Sequence, residues 1–191
     1  RPALAGLPAE PLVFGFDNDA RLRVANAAWV SASFELAEAA AARVVRERPE
    51  RIIDCPSRGA DCAEKFVASF GRRAYRRTLT LAEHEALTTF FESVHLSGGY
   101  LEALEQTVTV MLQSPQFLYR PELGVRAGFA ASRPLPGPEL ASKLSYFLWG
   151  AGPDAELVKI AGQGQLTVSG MLEKQVKRML TDSRSEAHAT R

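Results

Sequence analysis

Residues 80–115 read TLAEHEALTTFFESVHLSGGYLEALEQTVTVMLQSP. Thr80-Leu81-Ala82-Glu83 has the form of a capping box, in which a Thr hydroxyl and a Glu carboxylate satisfy each other's backbone N–H groups at the start of a helix. Leu87, Phe90, Phe91 and Val94 follow at helical spacing, and Ser97-Gly98-Gly99 interrupts them. Leu101, Leu104, Val108, Met111 and Leu112 then repeat the pattern until Ser114-Pro115 stops it, with one further turn expected through Phe117 and Tyr119. Two helices with a glycine joint, and no alternating strand pattern between them, set the class of the fold as all-α.

The same spacing extends in both directions. Upstream, Val30, Phe34, Ala37, Ala41 and Val44 predict a long Ala-rich helix over about 25–46, ended by Pro49. Ala63, Phe66, Val67, Phe70 and Ala74 share one face of a second helix, with Asp61 placed as its N-cap. Downstream, Leu140, Leu144, Phe147 and Leu148 predict a fifth helix. Asp154 opens a short sixth through Leu157, Val158 and Ala161, and Leu172, Val176, Met179 and Leu180 mark a seventh. The expectation is about seven helices in one or two antiparallel bundles, because short joints bring consecutive helices back alongside one another.

Residues 1–23, with three prolines and the turn-like Gly15-Phe16-Asp17-Asn18-Asp19, read as an irregular lead-in. Asp17-Asn18-Asp19 begins like a calcium loop, but Leu22 stands where the glycine is needed and Ala28 where the bidentate Glu is needed. It is read as a turn. The organisation expected is 1–50 as lead-in and long helix closing a preceding domain, 51–122 as a helical domain, 123–138 as a Gly/Pro-rich linker, and 139–191 as a second helical domain. Ser183-Arg184-Ser185-Glu186 is another capping box close to the last residue, so the sequence reads as a piece of a longer protein whose final helix is cut short.

Net charge is +1, with 23 Lys and Arg against 22 Asp and Glu, which supplies no global field for nucleic acid or an anionic membrane. No apolar run is long enough to span a bilayer; Asn26, Glu35, Glu38 and Arg43 interrupt the most apolar stretch. A soluble segment is expected.

Cys55 and Cys62 flank a Pro- and Gly-containing loop that can bring their sulfurs together, so a local disulfide is expected, weighed against two buried free thiols in a reducing compartment. Two cysteines without a nearby histidine cannot complete a zinc site, and Cys-x-x-Cys-His is absent, so this stretch attaches no haem by itself. His84 and His95 lie roughly 16 Å apart along one helix and cannot share a metal. No metal site, no cofactor and no catalytic constellation is expected. Arg72, Arg73, Arg76 and Arg77, around Tyr75, form a basic cluster that could bind a partner, though cations also collect at a helix C-terminus to meet its dipole. Tyr146, Phe147 and Trp149 end the fifth helix as an aromatic group that could line a haem or sugar site or close a core.

Several phrases together resemble a known family: Gly15-Phe16-Asp17-Asn18; Cys62-Ala63 and Phe70-Gly71-Arg72-Arg73-Ala74-Tyr75-Arg76-Arg77; Ser114-Pro115-Gln116-Phe117-Leu118-Tyr119-Arg120; Glu139 through Trp149; and Pro153-Asp154-Ala155-Glu156-Leu157. The resemblance is to large exported proteins of planctomycetes and myxobacteria in which consecutive domains of unknown function accompany c-type cytochrome modules. It implies a periplasmic or extracellular location, other domains of the same polypeptide as partners, and haem c elsewhere in the full-length protein. The function it implies is a non-catalytic scaffold supporting electron transfer. A carbohydrate- or polymer-binding module, or a fragment of a hydrolase with its active site outside this stretch, stands as the alternative.

Overall fold

The computed structural model describes residues 26–53, 55, 60–125 and 133–190. The lead-in expected over 1–23, including Asp17-Asn18-Asp19, and most of the Cys55–Cys62 loop lie outside them. The described residues contain nine α-helices and no strand: α1 (Ala27–Glu47), α2 (Ala60–Tyr75), α3 (Leu81–Gly98), α4 (Tyr100–Gln113), α5 (Pro115–Leu118), α6 (Gly137–Trp149), α7 (Ala155–Gly162), α8 (Met171–Leu180) and α9 (Ser183–Ala189). The all-α expectation holds. The count exceeds seven because the single turn after Pro115 and the helix at Ser183 both form. Among the described residues no helix is long and apolar enough to cross a membrane.

The chain forms two compact units that interleave in sequence. The first takes the described residues up to Ala63 together with Leu87–Gln113; the second takes Glu64–Ala86 and Ser114 onward.

In the first unit α1 and α4 are the principal pair. Asn26 caps α1 by accepting from the Trp29 N–H. The face that α1 buries carries Ser33, Ala37, Ala41 and Val45, a four-residue spacing of small side chains that lets another backbone approach closely. This differs from the expected face: Val30 and Phe34 stay about half exposed, because the bulky residues stand beside the close-packed stripe rather than on it. Buried Ala103, Leu104, Thr107, Val108 and Met111 supply the matching face of α4. The Gln113 side-chain amide donates to the Ser33 carbonyl at 2.7 Å, joining the end of α4 to the first half of α1, so the two helices run antiparallel. Gly99, at φ +86°, makes the turn from α3 to α4 in a conformation that a side chain would strain. Tyr100 packs edge-on to Phe91 across that joint, ring centroids 5.5 Å apart.

In the second unit the expected capping box of α3 is formed in full: the Glu83 N–H donates to Thr80 Oγ1 and the Thr80 N–H to the Glu83 carboxylate. Two other cap expectations shift by a residue. Asp61 lies inside the first turn of α2 instead of capping it, and α9 is capped by Asp182, which accepts from the Arg184 N–H, rather than by Ser183. An aspartate is as good a cap as a serine, and the residue whose backbone is already extended takes the role. Helix α6 begins at Gly137, inside the stretch expected as linker. A Cβ built on Gly137 would lie 2.4 Å from the Ala161 carbonyl oxygen, so α6 and α7 cross at a distance that only glycine permits. Ala141, Trp149, Leu157, Ala161, Leu166 and Met179 form the core around that crossing.

Candidate functional site

The basic cluster expected at 72–77 is divided among different environments. Arg72 and Arg73 are exposed on α2, and Arg73 lies over the Phe70 ring. Arg77 makes a bidentate pair with Glu83, both contacts at 2.7 Å. That hydrogen bond to Arg77 is the largest influence on the Glu83 carboxyl and lowers its pKa to about 2. Arg76 is 7% exposed and holds φ +59°, a positive value that no other non-glycine shares among the described residues. Its guanidinium donates to the carbonyls of Ala74, Gln116, Phe117 and Tyr119. Those oxygens include the end of α5, so Arg76 ties α2 to the Ser114–Tyr119 segment and meets a helix C-terminus with positive charge. Its fork is occupied by backbone. Tyr75, beside it, is buried, and that burial raises its phenol pKa.

The aromatic end of α6 divides in the same way. Trp149 is 4% exposed; its indole N–H donates to the Met179 carbonyl at 3.0 Å. The Arg184 guanidinium covers the ring at 3.5 Å from its centroid, with Arg178 on the ring at 5.7 Å. Arg178 pairs with Asp154, the cap of α7, at 2.7 Å, and Arg184 with Asp182, the cap of α9, at 2.6 Å. Burial raises the Asp154 pKa, but the Arg178 hydrogen bond and the cap bond from Leu157 outweigh it and hold the carboxyl below its ordinary value. Helix caps, cations and indole thus close one another off. Tyr146, by contrast, lines a small cavity of about 300 Å³ beside Arg120, Glu122, Lys143 and Phe147. Arg120 lies 4.6 Å over the Tyr146 ring, Lys143 pairs with Glu122 at 2.6 Å, and Phe147 is 76% exposed.

Cys55 and Cys62 form the expected disulfide, with Cα atoms 5.6 Å apart. Their sulfurs and the Asp61 carboxylate are the one group among the described residues that clusters closely enough for a metal, and the disulfide removes both thiolates from it. His84 and His95 stand on α3, and His188 on α9.

Another concave surface is one that no expected site residue touches. In the first unit a groove of about 970 Å³ runs along α1 and α4, with Phe90 of α3 contributing. Phe34 (45% exposed), Leu101 (50%) and Val110 (41%) present apolar side chains to it. Glu38, Glu102 and Glu105 stand among them. Periodicity alone assigns Phe34 and Leu101 to a core. The signal that could have distinguished them is the tetrad Ser33, Ala37, Ala41 and Val45, which outcompetes the larger residues for the tight helix crossing.

Residues 62–122 match the family described as PSD5, a protein of unknown function (DUF1595). Residues 135–191 match the family described as PSD4, a protein of unknown function (DUF1592). The chain therefore carries two consecutive domains of unknown function. No curated protein and no solved structure matches it.

Proposed function

We propose that this chain is a non-catalytic helical module of an exported, c-type-cytochrome-associated redox protein, and that its α1/α4 groove docks another domain of the same polypeptide. The observation that carries this reading is the groove itself: Phe34, Leu101 and Val110, each about half exposed, line one concave face. Exposed apolar side chains gathered on one concave face mark interaction sites. The Cys55–Cys62 disulfide supports an oxidising, periplasmic or extracellular location. The separate matches at 62–122 and 135–191 support two consecutive modules with residues 123–134 between them.

Two measurements test the reading. Proximity cross-linking in the full-length protein is expected to join α1 or α4 to another domain, and Leu101→Gln to abolish the cross-link while leaving the helical circular dichroism unchanged. A Soret band that persists after denaturing purification of the full-length protein is expected for covalent haem; its absence removes the cytochrome part of the reading.

The cavity beside Tyr146 favours a second reading, a carbohydrate-binding module. An exposed aromatic face with carboxylates and cations around it is the chemistry that holds a sugar ring, and Phe147, Glu122, Glu139 and Lys143 provide it. The Ser142 hydroxyl on the same wall makes no hydrogen bond among the described residues. Binding on a glycan array that Phe147→Ala removes would favour this reading over the first.

A further inference from the structure

We propose that the occupant of the α1/α4 groove presents a basic amphipathic helix, an inference that rests on the docking reading and names the chemistry of its partner. Shape is the first argument. Leu101 and Val110 on α4 lie nine positions apart, which at helical rise makes a floor about 14 Å long, to which α1 adds the half-exposed Phe34. Two antiparallel helices leave a trough parallel to their axes, and a floor of about three turns suits a third helix laid along it. The partner then needs apolar side chains at i, i+3 or i+4, and i+7.

Charge is the second argument. Glu38 on α1 and Glu102 and Glu105 on α4 border the floor, and among the described residues Arg46 is the one cation that lines the groove. Glu38 and Glu105 make no ion pair among the described residues, and Glu102 accepts from the neutral Gln106 amide, at 2.8 Å, rather than from a cation. Glu47, further along α1, is by contrast paired with Arg43 at 3.0 Å. Three carboxylates left without cations beside apolar surface repel an acidic partner and favour Lys or Arg on the flanks of the docked helix.

The test uses fluorescence anisotropy of labelled amphipathic peptides that share one leucine pattern and carry Lys, Glu or Gln at the polar positions. The Leu/Lys peptide is expected to bind the intact chain and the Leu/Glu peptide not to. Glu102→Gln together with Glu105→Gln is expected to weaken the Leu/Lys peptide about tenfold, since each partly exposed pair contributes a few-fold. Raising salt from about 0.05 to about 0.5 M should produce a comparable loss. Equal binding of the three peptides, or an unchanged affinity in the double variant, overturns the inference about charge. If Leu101→Gln still abolishes the cross-link in the full-length protein while the Leu/Lys peptide fails to bind, the docking reading survives and this inference does not. If Leu101→Gln changes neither, the docking reading itself is lost. A concentration-dependent dimer of the chain that Leu101→Gln dissociates assigns the groove to a second copy and overturns the basic-helix partner.

Discussion

The α1/α4 pair and the Trp149 cluster solve the same problem, sealing a helix surface, in opposite ways. In the second unit the largest side chain goes inside. Trp149 is buried, its N–H is satisfied, and Arg184 and Arg178 lie over its ring while pairing with the caps of two helices. On α1 in the first unit the small side chains go inside: Ala37 and Ala41 face the crossing with α4, and Phe34, Val30, Leu101 and Val110 remain at its edges. One arrangement withholds the indole itself from any partner. The other leaves a groove, so the sealed region reads as structure and the open one as the place of interaction.

The contrast is most exposed to refutation at Trp149. Trp149→Ala should lower the unfolding free energy by about 3–5 kcal/mol, read from urea denaturation by circular dichroism, because it opens a cavity and strands Arg184. A change below about 1 kcal/mol would mean the ring is not what seals the unit. Next in size is the disulfide: Cys55→Ser with Cys62→Ser, or reduction of the native chain, should cost about 2–3 kcal/mol in the chain-entropy account, seen as a lower thermal midpoint.

The Glu83 carboxyl offers a smaller, pH-dependent effect. Its folded-state pKa is lowered from an ordinary 4.5 to about 2, chiefly by the hydrogen bond to Arg77. The unfolded chain therefore binds this proton more readily, so the stabilisation is complete above about pH 4.5 and is lost as pH falls toward 2. Urea midpoints measured over that window should fall less steeply in Glu83→Gln than in the native chain; parallel curves would show that the pair contributes nothing. The smallest effect is expected in the open region. Phe34→Gln and Leu101→Gln should each shift stability by no more than about 0.5 kcal/mol, as surface positions do, while removing partner docking. A loss of several kcal/mol from either would place these side chains in the core and close the groove as a candidate.

Helical spacing and cap chemistry, both local, are written in short stretches of sequence, and that is why the all-α class, the Thr80–Glu83 box, the Asp154 cap and the Cys55–Cys62 disulfide were all legible from the order of the residues. The boundaries that moved, at Asp61, Ser183 and Gly137, moved by a few residues, where neighbouring residues can each play the same local part. What each side chain meets across the molecule was not legible. Arg76 reads like its neighbours Arg72, Arg73 and Arg77, yet it alone turns inward to four backbone carbonyls, because the placement of α5 brings three of those oxygens within reach. Trp149 and Phe147 read as one aromatic group, yet one is buried and the other exposed, since residues two apart on a helix point in different directions. Periodicity tells which residues share a face of a helix; which of two neighbouring faces is buried depends on how closely the partner helix can approach. Tertiary packing decided that, by drawing the alanines of α1 toward α4 and leaving Phe34 at the edge.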